Sequence, residues 1–124
     1  MIQSTDLRIG NYVMDEDESN EIFKVETIQK GEEPFTNDNY FVNGRLIEDI
    51  LPIPLTEEIL LKCGARRIDK YTFVLNGLFI HFRRIGFVFN VGKKKIIIEH
   101  LHTLQNLIFI LTNTELNITL LHYN

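Results

Sequence analysis

The stretch Tyr71-Thr72-Phe73-Val74-Leu75-Asn76-Gly77-Leu78-Phe79-Ile80-His81-Phe82-Arg83 decides the fold class. Two runs rich in aromatic and β-branched residues flank Asn76-Gly77, a dipeptide that suits the tight turn of a β-hairpin. A second pair of runs follows at residues 86–91 and 94–99 and turns near Gly92. The spacing predicts an antiparallel meander with a helix before it and a helix after it. In the first helix, Thr56 is a good N-cap, and Glu57 and Glu58 sit where the helix dipole favours negative charge. Ile59, Leu60 and Cys63 form its apolar stripe, and Gly64 can take the left-handed conformation that stops it. In the second, residues 100–113, the positions Leu101, Leu104, Leu107, Ile108 and Leu111 share one stripe. Asn113 can end that helix, and residues 116–120 read as a last strand. A meander with two helices on one face is an α+β arrangement, assigned to residues 56–124.

Residues 1–55 have a different character. Leu7, Ile9 and Val13 bracket Gly10-Asn11, which can turn one strand into the next. The acidic residues Asp15, Glu16, Asp17 and Glu18, with Ser19 and Asn20, read as a solvated hairpin tip, because like charges repel there. Phe23, Val25 and Thr27 alternate with Lys24 and Glu26, the pattern of a half-buried strand. Residues 31–39 contain Pro34 and turn formers and read as a loop. Tyr40-Phe41-Val42, Asn43-Gly44 and Arg45-Leu46-Ile47 form a second hairpin signature. Residues 49–55, with Pro52 and Pro54, read as an extended connector. Several short strands in about 50 residues predict a small, highly twisted β-barrel of SH3 type. The fold expectation is therefore an SH3-type barrel over residues 1–55 followed by the α+β unit.

The chain has 124 residues and a net charge of −4. That length excludes an eight-fold barrel, which needs roughly 250 residues, and a full dinucleotide fold of two βαβαβ halves. The charge is unevenly divided. Residues 1–55 hold 12 acids and 4 bases, giving −8, and residues 56–124 hold 5 acids and 9 bases, giving +4. Such asymmetry suggests two parts, or one acidic and one basic pole. The first ten residues lack a basic start and a long apolar run, and no apolar stretch approaches the roughly 18 residues of a membrane span. One cysteine, Cys63, excludes an intrachain disulfide, so the expected setting is cytoplasmic, without a membrane. Asn117-Ile118-Thr119 matches a glycosylation acceptor and reads as chance.

Three stretches together resemble a known group. They are residues 7–13 (Leu-Arg-Ile-Gly-Asn-Tyr-Val), residues 52–64 (Pro-Ile-Pro-Leu-Thr-Glu-Glu-Ile-Leu-Leu-Lys-Cys-Gly) and residues 102–109 (His-Thr-Leu-Gln-Asn-Leu-Ile-Phe). The chain resembles a family of short uncharacterised proteins encoded in gut-type bacterial genomes, their phages and mobile elements, in the same order over nearly its whole length. Leu111-Thr112 and Glu115-Leu116 also fit that pattern. Asn113 stands where the family tends to have glycine. The resemblance implies the boundaries and an intracellular setting, and it brings no activity.

The candidate sites are few. His100 and His102, two apart on a helix, should point to different sides, and His81 and His122 lie elsewhere, so no metal is expected. Cys63 lies at a helix C-terminus, which disfavours a thiolate, and reads as a buried structural thiol. The acidic residues at 15–18 lack the spaced ligands of a calcium loop. His102, Gln105, Asn106 and Phe109 fall on one side of the second helix and form the candidate binding patch. Phe109 and Ile110 there mean either an exposed contact surface or a helix buried on both sides. The basic half brings Arg83, Arg84, Lys93, Lys94 and Lys95, with Arg66, Arg67 and Lys70, close in sequence to Tyr71, Phe73, Phe79, Phe82, Phe87 and Phe89. Cations beside rings suit single-stranded nucleic acid. The alternative is that the rings alternate into the core and the cations are solvated at strand ends. No nucleophile–base pair, phosphate loop or cofactor motif stands out. The expected function is noncatalytic binding of a protein partner or a second copy of the chain, with nucleic acid as the alternative and no cofactor.

Overall fold

The computed structural model describes residues 2–16, 21–31 and 40–118. The architecture is α+β, with mostly antiparallel sheets and two helices. The chain divides into two compact units, Met1–Ile53 and Pro54–Asn124.

The first unit has six short strands: β1 (Tyr12–Asp15), β2 (Ile22–Lys24), β3 (Ile28–Lys30), β4 (Tyr40–Val42), β5 (Arg45–Leu46) and β6 (Ile50–Leu51). They form two three-stranded sheets, ordered β2-β1-β6 and β3-β4-β5. Among the described residues these ladders do not close into a barrel. The single strand expected around Phe23, Val25 and Thr27 is broken at residues 25–27, so β2 joins one sheet and β3 the other. The expected connector also contributes a strand, since Leu51 and Ile50 pair with Met14 and Asp15 of β1. A core of Ile2, Leu7, Val13, Val25, Val42 and Ile50 serves both sheets. The Gly10-Asn11 turn feeds it. Gly10 has φ 102°, the Arg8 N–H donates to Asn11 Oδ1 at 2.7 Å, and Gly10 and Asn11 exchange backbone hydrogen bonds with Val25. Asp15 is not part of a solvated tip. It lies in β1, and its Oδ2 is 2.9 Å from Arg45 Nε, while the Arg45 guanidinium covers the Phe23 ring at 4.4 Å. Asp17 and Glu18, with Ser19 and Asn20, lie outside the described residues, as does the expected loop beyond Gly31.

The second unit opens with α1 (Glu57–Lys62), whose N-cap Thr56 accepts from the Ile59 N–H at 3.2 Å. Gly64, at φ 96°, follows its end. A five-stranded meander comes next: β7 (Arg66–Asp69), β8 (Thr72–Leu75), β9 (Leu78–Arg83), β10 (Gly86–Val91) and β11 (Lys94–Ile98), paired in that order. The sequence did not reveal β7. It reads Arg-Arg-Ile-Asp, has no apolar alternation and is exposed throughout, as an edge strand can be. Asn76-Gly77 takes φ of 50° and 81°, the left-handed pair that a type I′ hairpin requires. Helix α2 (Leu101–Thr112) ends at Asn113, whose φ of 56° supplies the left-handed cap. Its buried stripe is Leu101, Leu104, Gln105 and Ile108, joined by His102. The expected stripe placed Leu107 and Leu111 there, yet Leu107 is half-buried and Leu111 is exposed. Leucine and isoleucine surround so much of this helix that periodicity alone does not choose the buried side. Leu116 and Ile118 are buried but not in a strand, contrary to the expected last strand, whose remainder lies outside the described residues.

Candidate functional site

Strand alternation sorts the meander into two faces. Phe73, Leu75, Ile80, Phe87, Phe89 and Ile98 point to the buried face. On the other face, cross-strand pairing lines up Thr72, His81, Val88 and Ile97 in one row, with Arg83 opposite Gly86 on one side of it and Asn90 opposite Lys95 on the other. An open cleft of about 320 Å³ lies on this outer face, lined by His81, Arg83, Arg84, Ile85, Val88, Asn90 and Lys95. Val88 forms its apolar floor, only 2% exposed. Gly86 sits opposite Arg83 and, among the described residues, has nothing within 4 Å of where a Cβ would project. His81 Nδ1 lies 3.3 Å from Thr72 Oγ1, a contact that orients the imidazole.

Among the described residues, the lining contains three cations and no carboxylate. The residues paired with Arg83 and Lys95 are Gly86 and Asn90, four positions apart on β10, or about 13 Å along the strand. Positive charge therefore stands at both ends of an apolar-floored trough, where an anionic chain would be attracted more strongly than on a flat surface.

The sequence grouped Lys93, Lys94 and Lys95 as one patch, and the register separates them. Lys93 lies in the turn after β10, Lys94 pairs with Val91 on the opposite face, and Lys95 alone lines the cleft. Arg83 and Arg84 both line it. His81 and Asn90 were not among the expected contacts. Their signal was period-2 alternation, which places them on the same face as Arg83 and Lys95 once the two hairpins are in register.

A second groove of about 570 Å³ shares Arg83 and Arg84 with the first and is lined also by Tyr71 and Phe82, Phe82 standing by register on the Phe87 face. Both Tyr71 and Phe82 are about half exposed. The Tyr71 N–H donates to Asp69 Oδ1 at 2.9 Å, which shapes the β7–β8 turn. That bond, followed by the Thr72 hydroxyl, holds the Asp69 carboxyl below its usual range. Phe82 leans on Phe87 at 5.1 Å between ring centroids. No family model, curated protein or solved structure matches this chain. What these surfaces can bind therefore follows from their own chemistry.

The helix patch has a different character. His102 and Gln105 are buried, Asn106 and Phe109 are half-buried, and Ile110 is 77% exposed. His100 is the N-cap of α2, in extended conformation, so it does not share the helical geometry expected of it. Its ring stacks on that of His102, 5.7 Å apart and 8° from parallel. Among the described residues, no three His, Cys, Asp or Glu side chains gather as a metal set. Cys63 is buried, and burial pushes its thiol up to about 12 from 9.0. At neutral pH it is a protonated packing group. No helix of the described residues is long and apolar enough to cross a membrane.

Proposed function

We propose that this protein is a noncatalytic binding module whose ligand is single-stranded nucleic acid, held on the outer face of the meander. The observation that carries this reading is the convergence of Arg83, Arg84 and Lys95 on one cleft that, among the described residues, has no carboxylate in its lining. Arg83 and Lys95 stand opposite β10 positions about 13 Å apart along the strand, a spacing that suits a chain that repeats its phosphate. Exposed Phe79 and Ile97 on the same face offer apolar contact for bases. We read the setting as cytoplasmic, on the single cysteine. We also read the first unit as an SH3-type arrangement, on the strength of two small sheets sharing one core.

Titration of a fluorescein-labelled oligothymidine against the protein tests the reading. Binding is saturable at low salt, and log affinity falls against log salt with a slope of about −2 for three phosphate contacts. Reversing both Arg83 and Lys95 to glutamate abolishes it. No binding at low salt, or binding indifferent to that reversal, overturns the proposal. The protein-partner reading, centred on His102, Gln105, Asn106 and Phe109, predicts instead a salt-insensitive self-association or capture that Asn106→Ala weakens.

A further inference from the structure

The cationic cleft and the aromatic groove share two residues. Arg83 and Arg84 line both, so a ligand held by these arginines has His81, Asn90 and Lys95 on one side and Tyr71 and Phe82 on the other. We infer that the Tyr71–Phe82 groove is a stacking platform for an unpaired base, next to a phosphate held by Arg83 and Arg84, so that the protein discriminates single strands from duplexes and from other polyanions.

The inference rests on the nucleic-acid reading and adds to it the part of the ligand that is recognised. Turn geometry brings the groups together. The β7–β8 turn at Lys70 and Tyr71 and the β9–β10 turn at Arg84 and Ile85 lie at the same end of an antiparallel meander. The Phe82 N–H donates to the Tyr71 carbonyl at 2.8 Å and fixes the two residues side by side. Phe82 belongs by parity to the buried face but stands near the strand end, where it remains 45% exposed. Lys70 Nζ lies 5.4 Å from the Tyr71 ring centre and adds a further cation at the groove's edge. An aromatic surface bordered by guanidinium groups suits a nucleotide, whose π-face and phosphate are adjacent. A duplex keeps its bases paired and stacked, and can offer this groove only its backbone.

The test compares an oligothymidine with an abasic strand of equal length and with a blunt duplex, at one low salt concentration. The wild-type protein binds oligothymidine about tenfold more tightly than the abasic strand. Tyr71→Ala and Phe82→Leu remove that preference and leave abasic affinity unchanged. Equal wild-type affinity for the two strands overturns the stacking inference while leaving the nucleic-acid reading intact. Stacking is likewise overturned if the variants weaken both strands alike. Absence of binding to any strand overturns the underlying reading as well. The wild-type comparison needs no variant, so a folding defect in either substitution does not blunt the test.

Discussion

Asn43 Nδ2 donates to the Lys24 carbonyl at 2.8 Å, across nineteen positions of sequence. The same side chain accepts from the Glu26 and Thr27 N–H groups through its Oδ1, at 2.8 and 3.0 Å. One turn residue thereby satisfies the backbone where the chain leaves β2 for β3. Asn43 also takes φ 51° to form the hairpin with Gly44, so it does two jobs that few residues combine.

Asn43→Ala loses all three hydrogen bonds and places a Cβ-bearing residue without a compensating side chain at positive φ. Urea unfolding should show a loss of about 1–3 kcal/mol. Asn43→Asp keeps the two acceptor contacts and should cost less. Equal losses for the two variants would mean that the Nδ2 bond to the Lys24 carbonyl, which both lose, outweighs the acceptor contacts and the turn preference.

The three adjacent lysines should separate in a binding assay. Lys95 lines the cleft, whereas Lys94 points to the other face and Lys93 lies in the turn. Lys95→Glu should reduce oligothymidine affinity roughly tenfold or more at low salt, and Lys94→Glu should reduce it several times less. If the order is reversed, the site lies elsewhere on the basic half.

Cys63 should label slowly with a thiol reagent at pH 7–8 until denaturant is added, since the thiol is buried and protonated. Its folded pKa, about 12, exceeds the ordinary 9.0. Between those values the unfolded chain has lost the proton and the folded chain retains it, so stability falls as pH rises through that window. Cys63→Ala should remove this contribution, whose slope is at most about 1.4 kcal/mol per pH unit. Fast native labelling at pH 7 would contradict the buried position.

Leu104 and Ile108 are fully buried on α2, and truncating either to alanine should cost about 2–5 kcal/mol in thermal or urea unfolding. Leu111, 44% exposed, should cost less than about 1 kcal/mol. Comparable losses at Leu104 and Leu111 would restore the stripe that helical periodicity suggested.

Local chemistry was legible in the sequence. Asn43-Gly44, Asn76-Gly77, Thr56, Gly64 and Asn113 each act where their backbone preferences or capping groups predict. They shape turns and cap helices, and none of them lines the cleft. The site was legible only in part. Arg83, Arg84 and Lys95 stood out by charge, but nothing distinguished Lys95 from Lys94 before the strands were paired.

The sequence by itself determined four of the five meander strands, the hairpin turns at Asn76-Gly77 and near Gly92, both helices and the opposed charges of the two halves, because each depends on neighbours a few residues apart. Tertiary structure decided what depends on register and packing. It broke the Phe23–Thr27 run between two sheets, turned Gln105 inward and Leu111 outward, and brought His81, Arg83, Asn90 and Lys95 to one face. The physical reason is that a one-residue shift in strand pairing moves every side chain to the other face. Which residues share the cleft is thus a property of paired strands, and no single strand carries it.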